Sequence, residues 1–448
     1  MEGRMQSVGS FAKTPNRSWL PLAVSLLICV GVWHWADAIL IPSNTAKVLA
    51  AHRPVGNNSD LYPRWLGARE LLLHGRDPYS QAVTREIQTG FYGRPLDPAN
   101  PSDPNAQESF VYPLYVVFLL APTVTMPFPA VAAAFRWILL FSIALSVPVW
   151  MYAVGPRARW PAVVCGVLLA LGSYPAIEEY SQQNLTALVA LFLAAAVAAI
   201  VSNKLILSGA LLAMSTVKPD ITLPVVLWLL VWAAVREERR RMIWGFVGCM
   251  AILLGGAQAI SPGWMGQFFT AVREYPRYGT DPSVLQALFP RLVADLLSAA
   301  LMVFLFVMCW RSRKAAADSD PFGWTLALVS AVTLVVIPKL AAYNQLLLIP
   351  ALLVLLRHRG RATSFLSRAF PKGAFACQIW QWSAAVVLSI LSLLLTPRRL
   401  LGAAQLPLYT LLALPPLTLL AVMTQFPYTD AGVGLTRPLP EIPDARRE

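Results

Sequence analysis

The sequence predicts an all-α polytopic membrane protein: a bundle of about 12 transmembrane helices with a long first extracytoplasmic loop that contains amphipathic helices. Three observations predict it. Hydrophobic residues make up 57% of the 448 and charged residues only 13%, with a mean hydropathy of +0.57. Ordinary soluble domains carry about 25% charged residues, so this chain cannot cover itself with polar surface. Apolar runs of about 20 residues recur from end to end, each long enough to cross some 30 Å of hydrocarbon as a helix that satisfies its own backbone hydrogen bonds. The basic residues behind the net charge of +13 fall in short clusters between those runs: Arg157 with Arg159, then the stretches 236–241, 311–314 and 357–361. That spacing is the signature of cytoplasmic loops, and it excludes a nucleic-acid footprint as the reason for the charge.

Taken in order, residues 1–18 carry Arg4, Lys13 and Arg17 and read as a cytoplasmic N-terminus. The run 19–41 that follows has no small-residue cleavage site, and its length fits a retained first anchor rather than a cleaved signal peptide. Residues 42–110 form the longest polar stretch, an extracytoplasmic loop holding the candidate catalytic carboxylate. Within it Leu61, Trp65, Ala68, Leu71 and Leu72 recur at helical spacing with Arg64, Arg69 and Glu70 on other faces, which predicts an amphipathic helix along the membrane surface. The Pro- and Asn-rich piece 95–105 reads as irregular loop.

Residues 111–424 form the multi-span bundle, beginning with apolar runs at 111–127, 130–152, 161–177, 185–202 and 205–235, the last interrupted at Lys218-Pro219-Asp220. If all six of these pieces crossed, the cluster 236–241 would face outward, against the charge rule. One piece therefore fails to cross, and the short ones flanking Pro127 or Lys218 are the candidates. Beyond the cluster come runs at 242–260, 292–310, 322–337, 343–356, 377–396 and 406–423. They leave the loops 264–289 and 339–344 outside and return the tail, 425–448, to the cytoplasm.

Charged groups at membrane depth cost at least about 2.5 kcal/mol, so those at span edges carry a functional hypothesis by default. Four constellations stand at such edges. The first is Ser59-Asp60-Leu61-Tyr62 with Arg64, followed by Gly75-Arg76-Asp77-Pro78-Tyr79. The second is Phe110-Val111-Tyr112-Pro113, and the third is Gln182-Gln183-Asn184. The fourth joins Lys218-Pro219-Asp220 to Lys339 and Tyr343-Asn344-Gln345. In this order the pieces resemble glycosyltransferase family 87, from about residue 60 to residue 218 and more loosely to Asn344. The chain departs from the family pattern at Leu114, where a second proline is common, and at Ser181, where glycine is usual.

The resemblance implies a GT-C-like bundle in the superfamily of polytopic transferases that use polyprenyl-phosphate-linked sugars as donors. A sugar on polyprenyl phosphate already has a good leaving group. Such an enzyme needs a base for the acceptor hydroxyl and cations for the departing phosphate. In the superfamily the catalytic carboxylate lies in the first extracytoplasmic loop, and Asp60 matches that position; an N-cap for the helix beginning at Leu61 is the competing reading. Arg64, Lys218 and Lys339 are candidates for donor phosphate contacts, against snorkelling or lipid pairing, with Arg273 and Arg277 weaker candidates of the same kind. Tyr79, Tyr112, Gln182, Asn184, Tyr343 and Asn344 are candidates for sugar or acceptor contacts, against interface anchoring and helix–helix hydrogen bonding. Glu178 and Glu179 read as a solvated loop end rather than a metal or acceptor site.

No metal is expected, because His34, His52, His74 and His358 are scattered without ligand spacing. No cofactor is expected either: the chain has no phosphate-cradling Gly-x-x-x-x-Gly-Lys and no dinucleotide fingerprint. The expectation is an inverting hexosyltransferase of the cytoplasmic membrane, with mannose among the sugars it could move. Its partners would be a polyprenyl-phosphate sugar donor, a glycolipid or glycan acceptor and membrane lipids, meeting at an extracytoplasmic active site. A transporter or lipid flippase of the cell envelope, and an assembly scaffold, are the alternatives.

Overall fold

A 448-residue chain with this little polar surface has to bury its backbone in helices, and the computed structural model shows only helices and connecting turns among the described residues. It describes residues 19–50, 59–97, 99–100, 103–104, 107–274, 282–338, 340–361 and 363–427. The N-terminal leader, Lys339, Arg277 and the tail after residue 427 lie outside them.

The anchor begins with α1 (Trp19–Trp35) and continues through a π-helical turn at Ala36–Leu40 into α2 (Ile41–Ala50), giving one apolar helix of 32 residues. It runs past the expected end at Ile41 because the Pro42 ring, which would clash in a regular α-helix, follows directly on the wider π turn. There the Ile41 N–H reaches back five residues to the Ala36 carbonyl.

The helix expected after the anchor is α3 (Leu61–His74), followed by α4 (Gln81–Tyr92). The surface-lying amphipathic arrangement is not found. Arg64 and Glu70 are buried along with Leu61, Trp65, Ala68 and Leu71, because neighbours close on α3 from several sides. Gly67 lets the Phe110 ring lie against the α3 backbone, and Gly90 admits the Tyr62 hydroxyl against α4. The buried charge of Glu70 is met by Arg76 at 2.8 Å and His74 at 3.1 Å.

The piece read as irregular loop is organised by one carboxylate. Asp103 pairs with Arg94 and accepts the Asp97 backbone N–H at 2.7 Å and the Asn100 amide at 3.0 Å. The bond from Arg94, with that from the Asp97 backbone, holds the Asp103 carboxyl below its ordinary pKa. A depressed carboxylate pKa contributes order that is present above the ordinary range and is lost as pH falls through the depressed value. Amide hydrogen exchange at Leu96, Asp97 and Asn100 is therefore expected to accelerate on acidification only below the usual aspartate range; protection that fades above it would contradict this link.

The stretch 111–127 yields only α5 (Val116–Leu120) and a 3-10 turn. A five-residue helix is about 7.5 Å long, far short of a bilayer core. Both ends of the stretch stay at one end of the bundle: the Tyr115 hydroxyl donates to the Thr216 carbonyl at 2.9 Å, and Trp65 Nε1 donates to the Thr123 carbonyl at 3.2 Å. Of the candidates flanking Pro127 and Lys218, this piece yields the shortest helix.

The bundle proper contains α6 (Phe128–Ala153), α7 (Trp160–Leu171) bent by 54° against α8 (Tyr174–Gln182), then α9 (Thr186–Val201), α10 (Leu205–Ser215), α11 (Pro219–Ala234) and α12 (Arg240–Ile260). After these come α13 (Trp264–Glu274), α14 (Val284–Leu288), α15 (Arg291–Ser312), α16 (Asp320–Val336), α17 (Ile349–Arg357), α18 (Phe365–Leu394), α19 (Pro397–Leu400) and α20 (Leu414–Gln425). Five helices are long and apolar enough to cross a membrane, six if the bent α7–α8 pair is one span, and six further apolar helices are 10–17 residues long. The α16 helix is apolar nearly all round and accordingly buried on nearly every face at the centre.

Helices α10 and α12 cross backbone to backbone. A Cβ at Gly209 would fall on the Met242 carbonyl, and one at Gly245 on the Ile206 carbonyl. Where lipid tails compete with side chains, such small-residue crossings are what hold helices together. Gly209→Ala is expected to lower stability by about 1–3 kcal/mol by prising the pair apart, read as a lower thermal midpoint in nanodiscs. An unchanged midpoint would mean the crossing contributes nothing.

The basic clusters converge at one end of the bundle. Arg239 donates to the Ala315 carbonyl at 2.8 Å while lying 3.8 Å over the Trp232 ring, and Arg236 reaches the Lys314 carbonyl at 3.3 Å. A cavity of about 800 Å³ at the same end is lined by Arg157, Asp318 and Arg357. The four motif constellations lie at the other end.

Candidate active site

Two breaks in the helical pattern bring the motif residues together. Pro219 stands at the first position of α11, where its missing N–H costs nothing, so the chain turns at Lys218 and leaves that side chain between α10 and α11. At the second break Gln183 ends α8 in the left-handed region, φ 53°, uncommon for a residue with a side chain. The strain is held by the Gln183 amide: its oxygen accepts from Ser59 Oγ at 2.7 Å and its nitrogen donates to the Ala132 carbonyl at 3.4 Å. Asn184 and Thr186 are thereby aimed at Lys218.

Asp60 is docked against this second break. Its backbone N–H donates to the Gln182 carbonyl at 2.7 Å, and its carboxylate Oδ2 accepts Asn184 Nδ2 at 2.7 Å. The carboxylate makes no capping bond to α3, so it stands at the helix start without acting as a cap. Asn184 Oδ1 in turn accepts Lys218 Nζ at 2.8 Å. Lys218 Nζ also donates to Thr186 Oγ1 at 2.6 Å and Asn344 Oδ1 at 2.9 Å, and lies 4.6 Å from the Tyr343 ring centroid. Lys218 is 5% exposed and Asn344 1%, so the ammonium survives there because three oxygens replace its water.

Arg64, 3% exposed, donates Nη1 to the Asp60 carbonyl at 2.6 Å and lies 4.0 Å over the Tyr112 ring. Burial pulls its pKa down, but Tyr112, Asp60, Tyr343 and Asp220 more than offset that and hold the guanidinium above its ordinary value. Tyr112 is itself placed by Tyr79, whose hydroxyl donates to the Tyr112 carbonyl at 2.6 Å. Asp77 fixes that turn, accepting the Tyr79 N–H at 2.9 Å and Gln267 of α13 at 2.7 Å.

The structure thus brings Asp60, Arg64, Tyr112, Asn184, Lys218, Tyr343 and Asn344 into one cluster. Tyr79 joins as a support, and Gln182 through its backbone carbonyl. Arg273 is exposed at the end of α13 and no described bond ties it to the cluster. Glu178 and Glu179 are not a solvated loop end. Glu179 is fully buried and accepts the Ala187 N–H at 3.0 Å, while Glu178 accepts the Tyr343 N–H at 2.7 Å. Both serve to tie α8 to the elements carrying Thr186 and Tyr343. Sequence reasoning missed Thr186, and it named Gln183 within the third constellation without giving it a role. Their signal was position: a helix-breaking Gln-Gln-Asn and a hydroxyl two residues beyond the asparagine.

The model of glycosyltransferase family 87 matches residues 110–338, just over half of the chain. The chain belongs to glycosyltransferase family 87. No curated protein and no solved structure matches it. The family 87 region begins at Phe110, where the aromatic-x-Tyr-Pro motif opens, and holds Tyr112, Gln182, Asn184 and Lys218. Asp60 and Arg64 precede the matched residues and Tyr343 and Asn344 follow them, yet all four bond directly to its members or lie against their rings. A family 87 chain with this much apolar helix is a membrane glycosyltransferase.

Proposed function

We propose that the protein transfers a hexose, with inversion, from a polyprenyl-phosphate donor to a glycolipid or glycan acceptor on the extracytoplasmic side of the cytoplasmic membrane. The observation carrying this reading is the half-buried Asp60 carboxylate, fixed on one oxygen by Asn184, in a cluster with two buried cations. The cluster stands at the end of the bundle opposite the basic clusters, and the charge rule puts the basic end in the cytoplasm. The reading takes the six shorter apolar helices as further passes beside the five or six long ones, as a GT-C-like bundle requires.

Among the described residues nothing donates to Asp60 Oδ1, which leaves that oxygen for the acceptor. The acceptor hydroxyl gives its proton to the carboxylate as its oxygen attacks the anomeric carbon from the face opposite the phosphate. The bond from that carbon to the phosphate oxygen breaks, and its electron pair leaves with polyprenyl phosphate. One displacement inverts the anomeric centre. Arg64 meets the developing phosphate charge with the donors not spent on Asp60. Lys218 has its three donors committed, so it contributes positive field and positions Asp60 through Asn184. Tyr112 and Tyr343 wall the sugar site; Lys339, the third cation the sequence suggests for the phosphate, lies outside the described residues.

The meeting of two short helices at Lys218 is also the construction of a carrier's midplane site, which favours a transporter as the second reading. Glycolipid profiling by mass spectrometry separates them. A deletion strain complemented with Asp60→Asn should lack the same glycosylated species as the deletion alone. Restoration of the wild-type profile by Asp60→Asn would remove the transferase reading in favour of transport.

A further inference from the structure

A second cavity, of about 540 Å³, lies between the first helix and α8. Trp33, His34, Asp37 and Ile41 line it from one side, Ile177 and Tyr180 from the other. Three independent features mark it as a site. Asp37 is an exposed carboxylate inside the 32-residue apolar helix, and among the described residues no hydrogen bond or ion pair engages it. It sits in the π-helical turn Ala36–Leu40, a local widening that recurs at functional positions. Trp33 and Tyr180 meet edge to face at 5.1 Å and frame the cavity with aromatic surface.

The charges around the cavity define what fits. A phosphate would face the Asp37 carboxylate. An ammonium would compete for Tyr180 with Arg136, which already lies 5.2 Å over that ring. A neutral polyol meets neither objection: carboxylate and imidazole both bond hydroxyls, and the aromatic rings cover the apolar face of a sugar. Asp37 is about 27 Å along the helix from Trp19, near the far edge of a hydrocarbon core. Below it Val30, Leu27 and Leu26 are exposed on the same helix, a track for an alkyl chain.

We propose that this cavity binds the sugar headgroup of a lipid-anchored neutral glycan and is the docking site of a lipid-linked acceptor. The assignment to the acceptor rests on the transferase reading; the sugar-lipid site does not. The nine-residue α8 touches both places: Ile177 and Tyr180 line the cavity, while the Gln182 carbonyl holds Asp60.

The test uses the full chain in phosphatidylcholine nanodiscs and a decyl glucoside with a photoreactive diazirine in its tail. Adducts mapped by mass spectrometry are expected on residues 26–41 and 174–182. Excess decyl glucoside should compete, and decyl phosphate or decylammonium should not. Labelling should fall about tenfold in Asp37→Asn, the size of one lost hydrogen bond to a charged group. Asp37 is exposed and unbonded among the described residues, so this variant keeps its fold, whereas Trp33 also donates to the Leu171 carbonyl at 3.0 Å and is the poorer choice. Labelling spread evenly over the spans, equal competition by the charged amphiphiles, or undiminished labelling in Asp37→Asn overturns the proposal. Asp60→Asn should label like wild type. If it does while cellular glycolipids are unaffected by Asp60→Asn, the transferase reading fails and the sugar-lipid site stands.

Discussion

Asparagine at position 60 is expected to cut the rate of sugar transfer by about 10²- to 10⁴-fold, the usual contribution of a positioned general base. The change removes a base and little else. The carboxamide oxygen can still accept Asn184 Nδ2, the bond from the Asp60 N–H to the Gln182 carbonyl is backbone, and Arg64 bonds the backbone carbonyl rather than the carboxylate. The thermal midpoint should therefore stay close to wild type, which separates lost chemistry from lost fold. Asp60→Glu keeps the charge but carries it one methylene further, and misplacement on that scale costs a large part of the same factor. The measurement is release of polyprenyl phosphate in proteoliposomes supplied with a polyprenyl-phosphate hexose and a membrane lipid extract. Turnover of Asp60→Asn within tenfold of wild type would show that another group takes the proton, with Glu178 a carboxylate to examine.

The helices were legible because bilayer hydrocarbon tolerates few alternatives: apolar runs bounded by basic clusters have to be helices, and the break at Lys218-Pro219 follows from proline's missing donor. The site was legible only as a set of separated motifs. That Asp60 bonds Asn184, 124 positions away, depends on how α8 ends, and the left-handed turn at Gln183 has no glycine to announce it. The amphipathic pattern of α3 misled for a related reason. Periodicity reports which residues are apolar, and it is silent on Arg64 and Glu70 when those charges are satisfied inside the protein by a carbonyl, a tyrosine ring and an arginine. Glu179 was hidden in the same way, since a carboxylate with a buried backbone donor looks in sequence like one facing water.

Replacing Lys218 by methionine should destabilise the protein and abolish transfer together, and the proportion between the two losses is informative. Without the ammonium, the oxygens of Asn184, Asn344 and Thr186 lose their common donor. Thr186 Oγ1, at 3.1 Å from Asn184 and 3.3 Å from Asn344, can donate to one of them and not both. At least one buried acceptor is orphaned, at about 1–3 kcal/mol. Some of that loss is offset, because methionine carries no charge to desolvate. Transfer should fall further than this stability loss explains, since Asn184 is then free to turn away from Asp60 and the leaving phosphate loses the lysine's field. Lys218→Arg should not rescue it: a planar fork cannot reproduce three bonds radiating from one compact nitrogen in a site this closed. A thermal midpoint from intrinsic fluorescence, beside turnover at a temperature where the variant is folded, makes the comparison. Full turnover in folded Lys218→Met would mean the lysine only staples the helices, and the arrangement of Asp60 would then need another cause.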